Sequence, residues 1–394
     1  MGLSSKKTIT IFCPATLPLK TGAGINAFNL AKEFLKLDYK LVRVVSFRRE
    51  NHSVFDNIEG IDIVRIPYSD NNIMRLLGYF IIIPIFTYYL SKSNLAIVFG
   101  PLQGYMSLFI CGKVIRKKVV FRSTMYGVDD LFSLNNKFGS NLYKLRKKIN
   151  GLMGGYISQS IAMTKSFTNE YNTSIPVFES PQGVDTEKFK PISDFEKSAL
   201  KEKLNINIDK KTKIILSVGY VIERKGYREI FDSLAKFENE DFLYIVIGKY
   251  QGNEDEYMIH ENENMQKLHM YGKNLLKNKI FFTGECNNPE VYYKIADLFI
   301  LNSKKEGMPN VLLEAMASSL PVIVTSLPGV DNYITKNNVN ALVLDDNQTL
   351  SAALSLFFKN QTLLFQMAEN ARKFIHENYN FTIYTKKLLK IFTK

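Results

Sequence analysis

Asp297-Leu298-Phe299-Ile300-Leu301 leads within a few residues into Glu306-Gly307-Met308-Pro309-Asn310-Val311-Leu312-Leu313-Glu314. The run from Leu298 has the length and composition of a buried strand. Gly307 and Pro309 then break the pattern, and Pro309 suits the opening of a helix, where its missing N–H is not needed. That helix is expected to run to about Ala317, and after Ser318-Ser319-Leu320-Pro321 a new strand starts at Val322-Ile323-Val324. Strand, tight loop, helix, strand is a unit that presents backbone N–H groups and a positive dipole end beside the loop, and such an end binds phosphate. Glu306 falls on the loop and Glu314 about a turn inside the helix, so the spacing predicts two carboxylates facing one ligand. A carboxylate takes two neighbouring hydroxyls bidentately, which suits a sugar or a ribose diol. The ligand implied carries both phosphate and hydroxyls.

Working outward, the same alternation fills the chain. In the N-terminal half strands are expected near Ile9–Phe12, Leu41–Phe47, Ile61–Ile66, Ala96–Phe99, Val119–Ser123 and Ser160–Met163. Helices fit Ile25–Leu37, Gln103–Ile115, Asn141–Leu152 and Lys165–Tyr171. Pro191 and the polar stretch Ile192–Lys201 read as a domain junction. A second alternation follows through Ile214–Val218, Leu243–Ile247, Ile280–Thr283, Leu298–Leu301, Val322–Thr325 and Ala341–Leu344, with a helical pattern beyond Asp346. Strands alternating with helices predict a parallel α/β sheet in each half. Two doubly wound domains place their ligand crevices at the carboxyl ends of their strands.

The segment from Glu306 through Glu314-Ala315-Met316-Ala317 and Leu320-Pro321-Val322 resembles the signature of retaining glycosyltransferases of family 4, in which two glutamates are separated by seven residues, as here. Further landmarks are Gly22-Ala23-Gly24 after the first strand, Gln182-Gly183-Val184-Asp185 with Phe189 and Pro191, and Gly219 with Lys225-Gly226. The resemblance covers nearly the whole chain and implies the GT-B fold: two Rossmann-like domains facing a central cleft. Residues 1–190 would form the acceptor-side domain and 191–377 the nucleotide-sugar domain, with the helix from 378 to 394 returning to the first.

The resemblance also implies roles. Glu314 would hold the ribose and Glu306 the hydroxyls of the donor sugar. Lys225 would bind the diphosphate, together with the N–H groups of Gly307, Met308, Asn310 and Val311 around Pro309, because fixed donors stabilise a leaving phosphate without reorganising. Relatives usually carry Gly-Arg where this chain has Gly219-Tyr220, and Arg224 is the candidate replacement cation. Gly22 and Gly24 let backbone approach the donor phosphate or acceptor from the other domain. Many relatives carry a His after the strand corresponding to Val119–Ser123, but His52, His260, His269 and His376 all lie elsewhere. Arg122-Ser123-Thr124 to Asp129-Asp130 stands there instead. Arg122, Thr124 and Asp129 are candidates for sugar or acceptor contacts, and a structural turn is the equal alternative. No Asp-x-Asp clamp occurs, so no metal and no cofactor is expected. Retention would proceed by front-face substitution, the leaving phosphate taking the acceptor proton.

Net charge is +13, and residues 1–190 hold 25 Lys/Arg against 13 Asp/Glu. Such a half attracts phosphates or an anionic leaflet, whereas neither basic cluster (Arg116-Lys117-Lys118, and Lys144 with Arg146-Lys147-Lys148) sits in a nucleic-acid-reading motif. Three scattered cysteines suit a reducing compartment rather than a disulfide framework, and Met1 to Lys7 does not read as a signal peptide. The apolar run Leu76–Leu90 falls short of the roughly 20 residues a helical span needs. A buried helix, a helix dipping into one leaflet and a span all remain open for it.

The expected function is transfer of a sugar from a UDP-sugar, GDP-sugar or other nucleotide donor to a glycan or lipid-linked acceptor in polysaccharide or glycolipid assembly. Its place is cytoplasmic, peripheral on the inner membrane face, with no nucleic-acid partner. Alternatives are a non-catalytic glycosyltransferase-like partner subunit and a dinucleotide-dependent oxidoreductase. The latter lacks Gly-x-Gly-x-x-Gly after the first strand.

Overall fold

A computed structural model describes residues 7–19, 21–37, 39–48, 52–68, 71–124, 131, 140–171, 175–179, 181–204, 206, 208–209, 211–251, 262–345 and 349–393. The chain divides into two compact units, Met1–Gly183 with Phe381–Lys394, and Val184–Asn380.

The first unit is built on eight strands: β1 (Thr8–Phe12), β2 (Leu41–Phe47), β3 (Phe55–Ile58), β4 (Ile61–Ile66), β5 (Leu95–Phe99), β6 (Val119–Arg122), β7 (Gly155–Ser158) and β8 (Val177–Glu179). Their order is β3-β4-β2-β1-β5-β6-β7-β8, parallel except for the β3–β4 hairpin. Ile9, Ile11, Val44, Ile63 and Ile97 are fully buried, which is why these strands read as continuous apolar runs. The chain winds one way from β1 to β2 and the other way from β5 to β8. The winding therefore reverses between β1 and β5, where a ligand crevice is expected at the carboxyl ends.

The helix Gly22–Lys36 follows β1. It starts three residues before the expected Ile25, because Thr21 caps it by accepting the Gly24 N–H at 3.0 Å. The strand expected at Ser160–Met163 is instead Gly155–Ser158, and the helix Ile161–Tyr171 begins inside the expected strand. Ser160 Oγ accepts the Met163 N–H there, an N-cap contact that starts a helix. The edge strands β3 and β8 were not expected. Both are short and partly exposed, so they carry no apolar run. The terminal helix Phe381–Thr393 buries Tyr384 and Leu388 in the core that also holds Ala27, Leu30 and Ala31 of the first helix.

The helix Asn72–Ser91 contains the run Leu76–Leu90. Ile82, Phe86 and Leu90 are buried in the core, while Phe80 is 79% exposed, so the segment is neither wholly core nor wholly surface. Among the described residues no helix is long and apolar enough to cross a membrane.

The second unit has six parallel strands, β9 (Lys213–Val218), β10 (Phe242–Ile247), β11 (Ile280–Gly284), β12 (Leu298–Leu301), β13 (Val322–Thr325) and β14 (Leu342–Leu344). Their order is β11-β10-β9-β12-β13-β14. The winding reverses between β9 and β12, so the loops after these two strands flank the crevice. The stretch Ile192–Lys201, expected as a junction, is largely the helix Asp194–Lys203, opened by a reciprocal capping box between Ser193 and Glu196.

Candidate functional site

The loops leaving β9 and β12 are joined in three places. Asn302 Nδ2 donates to the Gly226 carbonyl at 3.2 Å, and the Lys304 N–H donates to the Arg224 carbonyl at 2.9 Å. Gly226 has φ +68°, and a Cβ there would lie 2.1 Å from the Asn302 carbonyl oxygen, so only glycine allows the two loops to close on each other. Gly248, at the end of β10, fits as tightly: a Cβ would sit 2.0 Å from the Gly219 oxygen. The third tie is ionic. Lys225 Nζ lies 2.6 Å from Glu306 Oε1, and Arg224 lies 3.4 Å from the same oxygen while also donating to the Lys305 carbonyl.

Lys225 and Glu306 are 14% and 10% exposed in their side chains, Arg224 37%. The stem of Lys225 crosses Gly219, whose missing side chain leaves room for it. Burial opposes ionisation of Glu306, but the Lys225 charge and hydrogen bond, joined by the Arg224 charge, together hold the carboxyl below its usual range. The sequence-predicted Arg224, Lys225 and Glu306 thus meet in one cluster. Tyr220, at the position where the resemblance leads one to expect arginine, packs beside Ile222 and Met265 instead.

Gly307, Met308 and Pro309 lead into the helix Asn310–Ala317, which starts one residue later than expected. Pro309 serves as its cap residue, and its carbonyl accepts the Leu312 and Leu313 N–H groups. Asn310 and Val311 form the first turn, at the end where a helix favours an anion. Glu314 is held apart from the cationic cluster: Tyr293 donates its hydroxyl to Glu314 Oε2 at 2.9 Å. Burial pushes the Glu314 carboxyl up to about 7, against the Tyr293 hydrogen bond and the charge of Lys188, and with help from Glu290. Tyr293 was not foreseen. It lies in the ordinary helix Glu290–Ile295 and reaches Glu314 only through folding.

In the first unit, Gly22 and Gly24 form the first turn of the helix Gly22–Lys36. A Cβ on Gly24 would lie 2.6 Å from the Ala15 oxygen, whereas nothing stands within 4 Å of one on Gly22. Arg122 ends β6 and is 1% exposed, with its guanidinium 4.7 Å from the Phe99 ring centre and 3.4 Å from Gln182 Oε1. Asn26 donates to the same Gln182 oxygen. Gln182 belongs to the Gln182-Gly183-Val184-Asp185 landmark, and that was the available signal for this cluster. Asp129 lies outside the described residues. Among the described residues no group of three or more His, Cys, Asp or Glu side chains is placed to hold a metal.

Two Rossmann-like parallel α/β units in one chain, the second with a cation-and-carboxylate cluster at its switch point, define the GT-B class of proteins. Residues 199–374 match the family described as glycosyl transferases group 1. Mannosylfructose-phosphate synthase of Agrobacterium fabrum is 29% identical over 190 residues, covering 46% of this chain and 40% of that protein. An Escherichia coli UDP-Gal:alpha-D-GlcNAc-diphosphoundecaprenol alpha-1,3-galactosyltransferase is 29% identical over 208 residues, 51% of this chain and 49% of that protein. The chain therefore spans about half the length, or less, of these curated relatives. The solved structure of HepE from Anabaena with UDP and glucose superimposes with a TM-score of 0.74 at 15% identity, covering 98% of this chain and 99% of that one.

Proposed function

We propose that this protein is a retaining glycosyltransferase of family 4, moving a sugar from a nucleoside diphosphate donor to a glycan or lipid-linked acceptor without a metal. The observation that carries this is the Lys225–Arg224–Glu306 cluster at the β9/β12 switch point, inside the segment that matches the family. Lys225 and Arg224 take the diphosphate, whose charge grows as the glycosidic bond breaks, and the first turn of the helix Asn310–Ala317 adds backbone dipoles. Glu306 turns to the sugar hydroxyls and Glu314 to the ribose diol. Gly22 and Gly24 open the first unit's crevice to donor or acceptor. Arg122, buried against Gln182, positions that crevice, and Asp129 is assigned a hydroxyl contact from its place in the sequence. The acceptor attacks on the face the diphosphate leaves, and the departing phosphate oxygen takes its proton.

A lipid-linked acceptor fits the Escherichia coli relative, whose name carries a GlcNAc-diphosphoundecaprenol acceptor, and such an acceptor would favour a peripheral position at the cytoplasmic membrane face. A thermal-shift screen of UDP-, GDP- and ADP-sugars tests the donor reading, since a ligand at a hundredfold its Kd stabilises by about 2.7 kcal/mol. A donor that shifts Tm and is slowly hydrolysed supports catalysis. A donor bound but never turned over, with any acceptor, points to the non-catalytic partner. No shift with any donor removes the reading.

A further inference from the structure

The helices Asn72–Ser91, Tyr105–Val114 and Ser140–Asn150 pack in succession, the first against the second and the second against the third. Arg146 of the third donates to the Tyr105 hydroxyl of the second at 3.2 Å. The inner edges of the first two supply the core with Ile82, Phe86, Leu108 and Phe109. Helices covering a sheet in water carry polar residues on the outer edge. Here the outer edges carry Leu77, Phe80, Ile81 and Tyr88 on the first helix, Val114 on the second and Leu145 on the third, all exposed. Of the 22 exposed large hydrophobic side chains among the described residues, seven, two and two lie on these three helices. Half of them thus lie on three helices packed in succession, a concentration rather than the usual scatter.

Charge identifies what covers the patch. Residues 71–169 contain 13 Lys/Arg, and their only acidic residues are Asp129 and Asp130. Lys113, Lys144 and Lys148 are exposed on the same helices as the apolar residues. A second copy of the chain, meeting this face by two-fold symmetry, would set like charge against like. An anionic bilayer meets both features at once: its phosphates pair with the lysines, and its acyl boundary takes the apolar edge.

We propose that this three-helix face seats the first unit on an anionic bilayer, with Phe80 and Ile81 entering the acyl boundary and Lys113, Lys144 and Lys148 at the headgroups. The proposal rests on the lipid-linked acceptor reading and adds the surface that delivers the enzyme to such an acceptor. It also assigns Ile82 and Phe86 to the core, so only the outer edge of the helix Asn72–Ser91 meets lipid.

The test is co-sedimentation of the full chain with phosphatidylcholine vesicles and with vesicles containing phosphatidylglycerol, at low and high salt. Wild-type protein should pellet with the anionic vesicles at low salt, leave them at high salt and ignore the neutral ones. A Phe80→Ser/Ile81→Ser variant and a Lys144→Glu/Lys148→Glu variant should each bind about tenfold more weakly or worse, with unchanged circular dichroism and Tm. Ile82→Ser, cut into the core, should lower Tm instead. Wild-type protein left in the supernatant at low salt, or folded surface variants that bind like wild type, overturns the proposal. So does a lipid-free dimer that Phe80→Ser/Ile81→Ser dissociates, which would give the face to a second copy. Donor hydrolysis without vesicles is read in parallel. Hydrolysis with no vesicle binding removes the docking surface and leaves the transferase reading, whereas vesicle binding with no donor binding or hydrolysis removes the transferase reading alone.

Discussion

Lys225 Nζ and Glu306 Oε1 are 2.6 Å apart, joining the loop after β9 to the loop after β12. The cation assigned to the diphosphate and the carboxylate assigned to the sugar therefore pair with one another. An incoming donor brings an anion for Lys225 and hydroxyls for Glu306, so it exchanges one set of charge-assisted contacts for two. The pair also fixes both side chains against each other, which limits the rotamer freedom lost on binding.

Lys225→Ala removes the less exposed of the two cations. Binding of the free nucleoside diphosphate should weaken by about 1.5–3 kcal/mol, the range for a hydrogen bond to a charged group. Titration calorimetry measures this directly. An unchanged dissociation constant would move the diphosphate site away from this loop.

Glu306→Gln should separate binding from turnover. The amide keeps the shape but no longer neutralises Lys225, so the nucleoside diphosphate should bind at least as tightly as to wild type. Transfer should fall by on the order of a hundredfold, because the donor sugar loses its positioning contact. A variant that binds the diphosphate much more weakly than wild type, or that turns over normally, contradicts the assignment.

The difference between what was legible and what was not follows from the kind of contact. Leu298–Leu301 and Val322–Thr325 read as strands because a parallel sheet buries both faces of each strand, leaving an unbroken apolar run. Gly155–Ser158 did not, because Tyr156 and Ile157 sit among glycines and serines while the better apolar run, Ile161 to Met163, belongs to a helix. Within Leu76–Leu90 apolar residues occur all round the helix, so no periodicity could say that Ile82 is buried and Phe80 exposed. The Glu306–Glu314 spacing was visible, but the expectation that both face one ligand hid their different surroundings. Glu306 meets Lys225, 81 residues away, and Glu314 meets Tyr293, 21 residues away. Such partners come from packing and leave no local mark.

Gly226→Ala should damage the site through the backbone. At φ +68° an alanine is strained, and its Cβ would press on the Asn302 oxygen at 2.1 Å. A loss of more than about 2 kcal/mol is expected, read as a fall in Tm together with weaker nucleotide binding, since the two loops can no longer close. Gly22→Ala is the contrast. With nothing within 4 Å of its Cβ, it should leave stability unchanged or raise it by roughly 0.5–1 kcal/mol. Equal Tm values for the two variants would show that the loop contact at Gly226 is slack.

Glu314 should make both stability and binding depend on pH. Burial raises its carboxyl from 4.5 to about 7 in the folded protein. A raised folded value means that the protonated form favours folding. Its contribution is complete below the unfolded value and is lost as pH rises from about 4.5 through 7, an effect on the order of 3 kcal/mol. Glu314→Gln removes the titration, so the stability of the variant relative to wild type should rise across that window, measured by denaturant unfolding at several pH values. A ribose diol donates hydrogen bonds and so favours the ionised carboxylate. Wild-type protein should then release protons on binding a nucleoside diphosphate just below pH 7, seen as a dependence of the calorimetric heat on the ionisation enthalpy of the buffer. The Gln variant should lose that release. If wild type and variant exchange the same number of protons with buffer, Glu314 does not hold the ribose, and the Tyr293–Glu314 contact is a structural tie.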